Sequence, residues 1–254
     1  MKEYIKNLLD FLRLKICFYM CAMGVCGFLM FNPIDIRLAF VALTSFFGGA
    51  GAYAYNNLTD EEEDLINRRN INPLVLNGTG KFVVFICFML GIFFSWFLSP
   101  FSVLLSISAV FVSMSYSAFK VKRIFLLKNL YTCFSIGMLF LIGSININGE
   151  VITYYMLLSF FTSIISMISD LRDYEGDKHS NFNTVPVFLG YDRARKFIFI
   201  LLLTFSTTII IFSRLLILMP YVFFMLYFIW KDRPKLAHAY GGGSWIFLAF
   251  WFFI

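Results

Sequence analysis

Residues 82–119 read FVVFICFMLGIFFSWFLSPFSVLLSISAVFVSMSYSAF, a run of 38 residues without a single Asp, Glu, Lys or Arg. A transmembrane helix needs about 20 mostly apolar residues, so this run is long enough for two of them. The Ser99-Pro100 pair near its middle favours a turn between the two halves. The stretch therefore predicts a helical hairpin that crosses a membrane twice.

The rest of the chain has the same character. Of its 254 residues, 60% are hydrophobic and 14% are charged, whereas soluble domains average about 45–50% apolar and about 25% charged residues. This composition excludes a soluble globular protein, a disordered chain, a collagen-like fibre, a nucleic-acid module and a transmembrane β-barrel. It predicts an all-α polytopic membrane protein.

Charged or turn-rich breaks divide the sequence into nine apolar segments, which we interpret as nine transmembrane helices of a single domain covering residues 1–254. No small-residue cleavage site follows the first segment, so we expect that helix to be retained. The segments are residues 12–31, 38–57, 82–98, 101–119, 129–147, 151–169, 197–213, 215–231 and 239–254.

The basic residues predict the orientation. The formal net charge is +6, and of the 21 Lys and Arg residues all but Arg37 and Arg214 lie in the N-terminus or in the loops after segments 2, 4, 6 and 8. Lys and Arg accumulate on the cytoplasmic side of membrane proteins, so these loops are predicted to be cytoplasmic. The orientation in the membrane then explains the positive net charge, and no nucleic-acid partner is needed to account for it.

The acidic residues are concentrated as well. Nine of the fifteen lie in residues 60–64 and 170–177, and each group directly follows an even-numbered segment. On a helix with about 100° per residue, Asn56, Asp60 and Asp64 would share one stripe, as would Asp170, Asp173 and Asp177. Like charges at this spacing repel unless a cation lies between them. Carboxylate and amide oxygens are ligands of hard cations, so we predict that these six residues bind Mg²⁺.

Basic side chains accompany these two stripes. Tyr116 and Lys120 are spaced i, i+4 in the loop after segment 4, and Lys and Arg side chains recognise phosphate oxygens. Together with Mg²⁺ they predict a diphosphate-binding site whose substrate has a long apolar tail in the membrane. The predicted diphosphate-binding residues are Tyr116, Lys120, Lys122, Arg68, Arg69 and Lys178.

These residues resemble the motifs of the UbiA superfamily of intramembrane prenyltransferases. Asn56-x-x-x-Asp60-x-x-x-Asp64 is similar to the family's first aspartate-rich motif, and Asp173-x-x-x-Asp177, preceded by Asp170, is similar to the second. Tyr116-x-x-x-Lys120 matches the motif between them. The stretch Glu175-Gly176-Asp177, followed by Thr184-Val185-Pro186 and Gly190, resembles the family's EGD…TLPV…G sequence.

The sequence departs from the family pattern at three places. Asn57 stands where the family usually has Asp, and Arg13-Leu14 replaces a common Arg-Pro pair in the first span. After the first motif, the family's Arg-Pro pairs appear only as Arg68-Arg69 and Asn72-Pro73.

The resemblance implies nine transmembrane helices around a central cavity, capped by cytoplasmic loops at about residues 58–81 and 170–196. It implies Mg²⁺-dependent transfer of an isoprenyl group from its diphosphate to a lipophilic or amphipathic acceptor at the cytoplasmic face of the lipid bilayer. The catalytic residues would be Asp60, Asp64, Asp173, Asp177 and Lys120.

The motifs do not by themselves identify the acceptor substrate. The Asp-x-x-Asp-x-Glu-Gly-Asp sequence at residues 170–177 resembles the motif of the family branches that prenylate glycerophosphate ether lipids or tetrapyrrole acids. It resembles less the motif of the branches that make quinones. A terpene cyclase of the same family, which has no acceptor, is the first alternative. A cation-binding transporter is the second, although transporter sites lie near the midplane of the membrane rather than at helix ends.

Overall fold

The computed structural model describes residues 2–60 and 71–254, and its regular structure in these ranges is helical. A short 3₁₀ turn lies at Val121–Arg123, and a longer one, Ser213–Leu218, leads into α12. The helices are α1 Lys2–Leu12, α2 Leu14–Phe31, α3 Arg37–Thr59, α4 Pro73–Leu76, α5 Gly80–Ser95, α6 Pro100–Ala118, α7 Leu127–Ser144, α8 Gly149–Arg172, α9 Tyr174–His179, α10 Val185–Leu189, α11 Tyr191–Ile211, α12 Met219–Trp230 and α13 Pro234–Phe253.

Every apolar segment predicted as a span coincides with a helix in the described chain. Among the described residues, seven helical stretches are long and apolar enough to cross a membrane: α2, α3, α6, α7, α8, α11 and the continuous stretch Ser213–Trp230. The all-α multi-pass membrane fold is therefore confirmed. Helix α5 is shorter, with 16 residues, and α13 is not among the seven. The count of nine spans remains a prediction.

The chain divides into two compact units, and the first consists of Met1–Lys120 and Met138–Thr153. Its helices approach closely at glycines. A Cβ atom on Gly143 of α7 would lie 2.0 Å from the carbonyl oxygen of Gly24 in α2, and one on Gly91 of α5 would lie 3.2 Å from the backbone nitrogen of Gly48 in α3. Small residues at such crossings let membrane helices pack backbone to backbone.

The second unit consists of Val121–Gly137 and Tyr154–Ile254. Helix α8 supplies much of its core, because Leu158, Phe161 and Ile164 are fully buried. The Phe161 ring stacks on Phe205 of α11 with centroids 4.5 Å apart, and it meets Trp245 of α13 edge-on at 5.7 Å. These aromatic contacts hold α8, α11 and α13 together around the helix that ends at the second acidic motif.

Large apolar side chains also cover the outside of the spans. Phe82, Trp96 and Phe111 are more than half exposed. A soluble protein rarely exposes apolar patches of this extent, whereas lipid tails are as apolar as these side chains. The exposed rings are therefore the lipid-facing surface.

Candidate active site

The first acidic motif begins in the last turn of α3. The Ser117 hydroxyl, near the end of α6, donates a hydrogen bond to Oδ1 of Asn56. Asp60 closes the helix, and its backbone N–H donates to the Asn56 carbonyl at 2.9 Å. Within the first unit, the Asn56–Ser117 contact thus joins the first motif to the helix that carries Tyr116.

The neighbouring Asn57 forms hydrogen bonds with residues near the N-terminus. Its Nδ2 donates to the Phe11 carbonyl at 2.7 Å, and its Oδ1 accepts a hydrogen bond from Arg13 Nη2 at 2.7 Å. Arg13 has left-handed backbone angles, φ 50° and ψ 54°, and separates α1 from α2. Asn57, which departs from the family pattern, therefore contacts Arg13, the residue before the departure at Leu14. This pairing could not be predicted from the sequence, because 44 residues separate the two.

Tyr116 and Lys120 lie at the end of α6. The helix stops at Ala118, and Lys120 follows in a left-handed conformation with φ 48°, its N–H donating to the Ser117 carbonyl at 3.1 Å. Both side chains are half-buried. The contact between Ser117 and Asn56 places the Tyr-x-x-x-Lys sequence beside the end of α3, so the first unit brings two of the predicted motifs together.

The second acidic motif does not lie on one continuous helix, contrary to the stripe predicted from its spacing. Helix α8 ends at Arg172 and α9 begins at Tyr174, so Asp173 stands at a break with φ −99° and ψ 9°. The backbone hydrogen bonds from Asp173 to Ser169 and from Asp177 to Asp173 persist across it. Three carboxylates on one uninterrupted stripe would repel one another. Because of the break, each of the three lies in a different environment.

Asp170 is completely buried, at 0% exposure. The Lys128 ammonium group at the start of α7 forms a salt bridge with its Oδ1. Asn129 donates from Nδ2 to Asp170 Oδ2 at 3.1 Å and to the Ser166 hydroxyl at 3.0 Å. Both carboxylate oxygens are thus engaged by protein groups. Asp170 positions the motif in this state, and its predicted role as a metal ligand remains a prediction.

Asp173 is paired with its chain neighbour. Arg172 donates to both carboxylate oxygens, from Nε at 2.8 Å and from Nη2 at 2.6 Å. The third guanidinium nitrogen, Nη1, lies 3.4 Å from Nδ1 of His238 on α13. The bidentate pair is half-exposed, so this carboxylate is accessible to a ligand that competes with Arg172.

Asp177 is buried at 8% exposure, and its Oδ2 has no hydrogen-bond partner among the described residues. Burial raises its pKa to about 6. Lys128 counteracts this rise, and Asp170 and Asp173 add to it. A buried polar atom normally finds a partner, and one without a partner calls for an explanation. A bound cation would supply the missing partner and favour the ionised carboxylate.

The remaining predicted residues are placed only in part. Lys178 is exposed on α9, with its Nζ 5.9 Å from the centre of the Tyr174 ring. The backbone of Lys122 lies in the Val121–Arg123 turn, but its side chain is not described. Asp64, Arg68 and Arg69 lie outside the described residues.

The second unit offers two candidate ligands for a metal ion. Within the described ranges, no three acidic, His or Cys side chains converge closely enough to hold a metal on their own. The open oxygen of Asp177 and the accessible carboxylate of Asp173 fit a cation that takes its other ligands from elsewhere. Mg²⁺ is bound in this manner, through a few carboxylates plus substrate phosphates and water.

Sequence reasoning missed the supporting groups of the second motif. Lys128 and Asn129 read as part of a basic loop, and their contact with Asp170 spans about 40 residues of sequence. In the sequence, Thr184 stands out only as part of the Thr184-Val185-Pro186 stretch. In the first unit, Ser117 and Asn57 carried no signal beyond their position beside motif residues.

Comparisons with known proteins concern the family and the fold. A profile of the UbiA prenyltransferase family matches residues 16–254. The digeranylgeranylglyceryl phosphate synthase of Thermococcus kodakarensis is 30% identical over 161 residues, which are 61% of this chain and 57% of that protein. The synthase of the same name from Pyrococcus horikoshii is 23% identical, over 73% of this chain and 69% of its own.

A solved structure shows the same fold. The UbiA homologue from Archaeoglobus fulgidus, bound to GPP and Mg²⁺, superposes with a TM-score of 0.75 at 16% identity and covers 97% of this chain and 98% of its own. The similarity thus extends over the whole helical array, and the family match covers all but the first 15 residues. The chain belongs to the UbiA prenyltransferase family.

Proposed function

We propose that the protein transfers an isoprenyl group from its diphosphate to a glycerophosphate ether lipid, with Mg²⁺ as cofactor. The reaction class follows from the family. The acceptor is supported by the two relatives named digeranylgeranylglyceryl phosphate synthase, and the donor and Mg²⁺ by the homologue bound to GPP and Mg²⁺.

The observation that carries the proposal is the open oxygen of Asp177. A buried carboxylate with one unpartnered oxygen loses stability when it ionises, and nothing in its own unit satisfies that oxygen among the described residues. A Mg²⁺-diphosphate substrate would satisfy it. A structural role alone would favour a residue that keeps both oxygens hydrogen-bonded, as Asp170 does.

The proposed roles follow from the surroundings of each residue. Asp173 and Asp177, with Asn56, Asp60 and Asp64, hold the metal. Tyr116 and Lys120 bind the diphosphate, and Lys122, Arg68, Arg69 and Lys178 add positive charge around it. When bound, Mg²⁺ neutralises the negative charge that develops on the departing diphosphate. Lys120 stabilises the same charge, because a charge-assisted hydrogen bond strengthens as the charge grows.

The hydrocarbon part of the reaction needs a dry apolar environment. Departure of diphosphate leaves an allylic cation, which the faces of aromatic rings stabilise. The chain contains 34 Phe, 13 Tyr and 4 Trp residues, and a water-excluding site prevents premature hydrolysis of the cation. The acceptor oxygen then attacks the cation, forms the new C–O bond and releases its proton.

The test is incubation of the purified protein with geranylgeranyl diphosphate, Mg²⁺ and a panel of acceptors that includes a glycerophosphate ether lipid, a tetrapyrrole acid and an aromatic quinone precursor. We expect diphosphate release and a prenylated product only with the ether lipid. Product with another acceptor would reassign the substrate. Diphosphate release without any acceptor would indicate a cyclase or hydrolase, and absence of any reaction would favour the transporter.

We also propose that the motifs lie at the cytoplasmic face, on the basis of the distribution of Lys and Arg. Single cysteines at Glu62, Lys178 and Asn148 allow a labelling test with a membrane-impermeant reagent. Cysteines at positions 62 and 178 should react only from the cytoplasmic side, and one at 148 only from the other side. Reaction of positions 62 and 148 from the same side would contradict this topology.

A further inference from the structure

Helix α1 is not an extension of the membrane span that follows it. Arg13 adopts left-handed angles between α1 and α2, and a non-glycine residue in this region is strained and interrupts a helix. Asn57 compensates for it, since its amide binds both the Arg13 guanidinium and the Phe11 carbonyl. The chain therefore changes direction at the point where α2 begins, and this turn is fixed by side-chain contacts.

One half of the apolar surface of α1 is covered by the first unit. Phe11 is fully buried in a cluster with Ala54 and Leu74, and Leu8 and Leu12 pack against the same cluster. Asn72 Nδ2 also donates to the Asn7 carbonyl at 2.9 Å. These contacts hold α1 against the segment that follows the first acidic motif.

The other half of the apolar surface is uncovered. Ile5 is 49% exposed and Leu9 is 42% exposed. At about 100° per residue, these two side chains continue the apolar arc of Leu8 and Leu12 around the helix. The arc is thus wider than the protein can cover, so its free edge requires another apolar environment.

The charges beside this edge indicate what that environment is. Lys6 is exposed and lies about 60° around the helix from Leu9, and Lys15 is exposed in the first turn of α2. An amphipathic helix with a lysine beside its apolar face is typical of helices that lie in the membrane interface. The lysine stems then cover apolar surface while the ammonium groups reach the lipid headgroups.

We propose that α1 is an interfacial helix, whose Ile5–Leu9 edge enters the acyl boundary of the leaflet and whose Lys6 contacts the phosphates of anionic lipids. A lipid surface fits better than a protein partner, because α2 begins a membrane span one residue after the turn. The edge is therefore already at membrane level. This inference goes beyond the proposed reaction and does not depend on it.

The test uses nitroxide spin labels on the full-length protein in lipid nanodiscs. Leu9→Cys places a label on the free edge, and Asp10→Cys places the matched control one residue away on the polar side, where Asp10 is exposed. The wild-type chain, labelled in parallel, gives the background from native cysteines. We expect the label at position 9 to be several-fold more accessible to oxygen than to a nickel chelate, and the label at position 10 to show the reverse.

A second comparison tests the headgroup contact. The label at position 9 should lie deeper in nanodiscs that contain phosphatidylglycerol than in phosphatidylcholine alone, and Lys6→Gln should reduce that difference. Equal depth in the two lipids would overturn the lysine contact. A label at position 9 reached by the nickel chelate would overturn the interfacial position, and one reached by neither reagent would indicate a protein partner. No readout requires substrate or turnover, so failure here leaves the proposed reaction untouched.

Discussion

The ends of α3 and α8 carry similar acidic motifs, but the structure surrounds the two motifs with different partners. At the end of α3, amide side chains take the hydrogen bonds: Asn56 accepts from Ser117, and Asn57 binds Arg13. At the end of α8, the carboxylates themselves are paired, Asp170 with Lys128 and Asp173 with Arg172. The second motif therefore contains its own counter-ions, whereas the described contacts of Asn56 and Asn57 use neutral amide groups, one of them with the Arg13 guanidinium.

This difference separates two kinds of mutational effect. A carboxylate that already has a protein cation contributes to stability even when no metal is bound. A carboxylate with an open oxygen, such as Asp177, costs stability, and we propose that it is retained for its ligand. Activity and stability should therefore respond in opposite directions at different positions within the same motif.

The largest expected effect tests whether the two motifs act as one unit. Asp60→Asn and Asp177→Asn keep the size of the side chain but remove a negative charge from the proposed metal site. Each should lower kcat/KM by on the order of 10⁴-fold, and the double variant should be little worse, because catalytic groups that act as a unit are strongly non-additive. Steady-state kinetics with saturating acceptor would measure this.

The control for that experiment is Glu62→Gln, which removes an acidic charge from the same segment at a position off the predicted Asn56–Asp64 stripe. It should cost only a modest part of the activity. Multiplicative losses in the double variant, or a Glu62→Gln variant as damaged as Asp60→Asn, would show that the two motifs do not form one site.

The next effect concerns the counter-ion inside the second motif. Lys128→Met leaves Asp170 buried without its cation, and breaking a buried pair in this way typically costs about 3–5 kcal/mol. Adding Asp170→Asn should restore much of that loss, since the unpaired charge is then removed as well. Chemical denaturation in detergent micelles, without Mg²⁺, would measure the free energies of unfolding.

The exposed pair Asp35–Arg37 provides the matched control, because ion pairs at the surface contribute little. Arg37→Gln should leave the unfolding midpoint nearly unchanged. An equal loss from Lys128→Met and Arg37→Gln would contradict the distinction between the buried pair and surface charge.

A smaller effect is expected at Lys120, on the side of the first motif. Loss of a charge-assisted hydrogen bond is worth about 1.5–3 kcal/mol, so Lys120→Ala should lower kcat/KM about 10–150-fold. Lys2→Ala, a charge loss far from the motif in sequence, should have no effect. An unchanged kcat/KM for Lys120→Ala would mean that this lysine serves only membrane orientation.

The smallest expected effect is a gain in the stability of the folded protein. The pKa of Asp177 is raised to about 6, so the folded protein binds this proton more tightly than the unfolded chain and loses stability as the pH rises from about 4 through 6. Without Mg²⁺, Asp177→Asn should therefore be more stable than the wild type at pH 8, by less than about 3 kcal/mol. The gain should vanish at pH 4.

Asp173→Asn is the control for this gain, because Asp173 is already paired with Arg172. It should not become more stable at pH 8. Thermal unfolding at the two pH values would distinguish the variants, and equal behaviour of the two would contradict a special cost at Asp177.

The positions of the helices followed from the sequence because long apolar runs leave few alternatives for a chain in a membrane. The motifs likewise located the candidate site, since residues four apart share a helix face. The helix break at Asp173 and the turn at Arg13 could not be predicted from the sequence. Neither involves Gly or Pro, and both are fixed by side-chain contacts, one of which joins residues 44 positions apart.

The Lys128–Asp170 pair has a consequence for the biogenesis of the protein. The two residues lie 42 positions apart, at the start of α7 and near the end of α8, so both lie at the same end of one helical hairpin. The lysine leaves the ribosome first and is in place when the aspartate arrives. We therefore expect the two charges to pair within this hairpin, so that the completed fold does not have to wait for a metal ion.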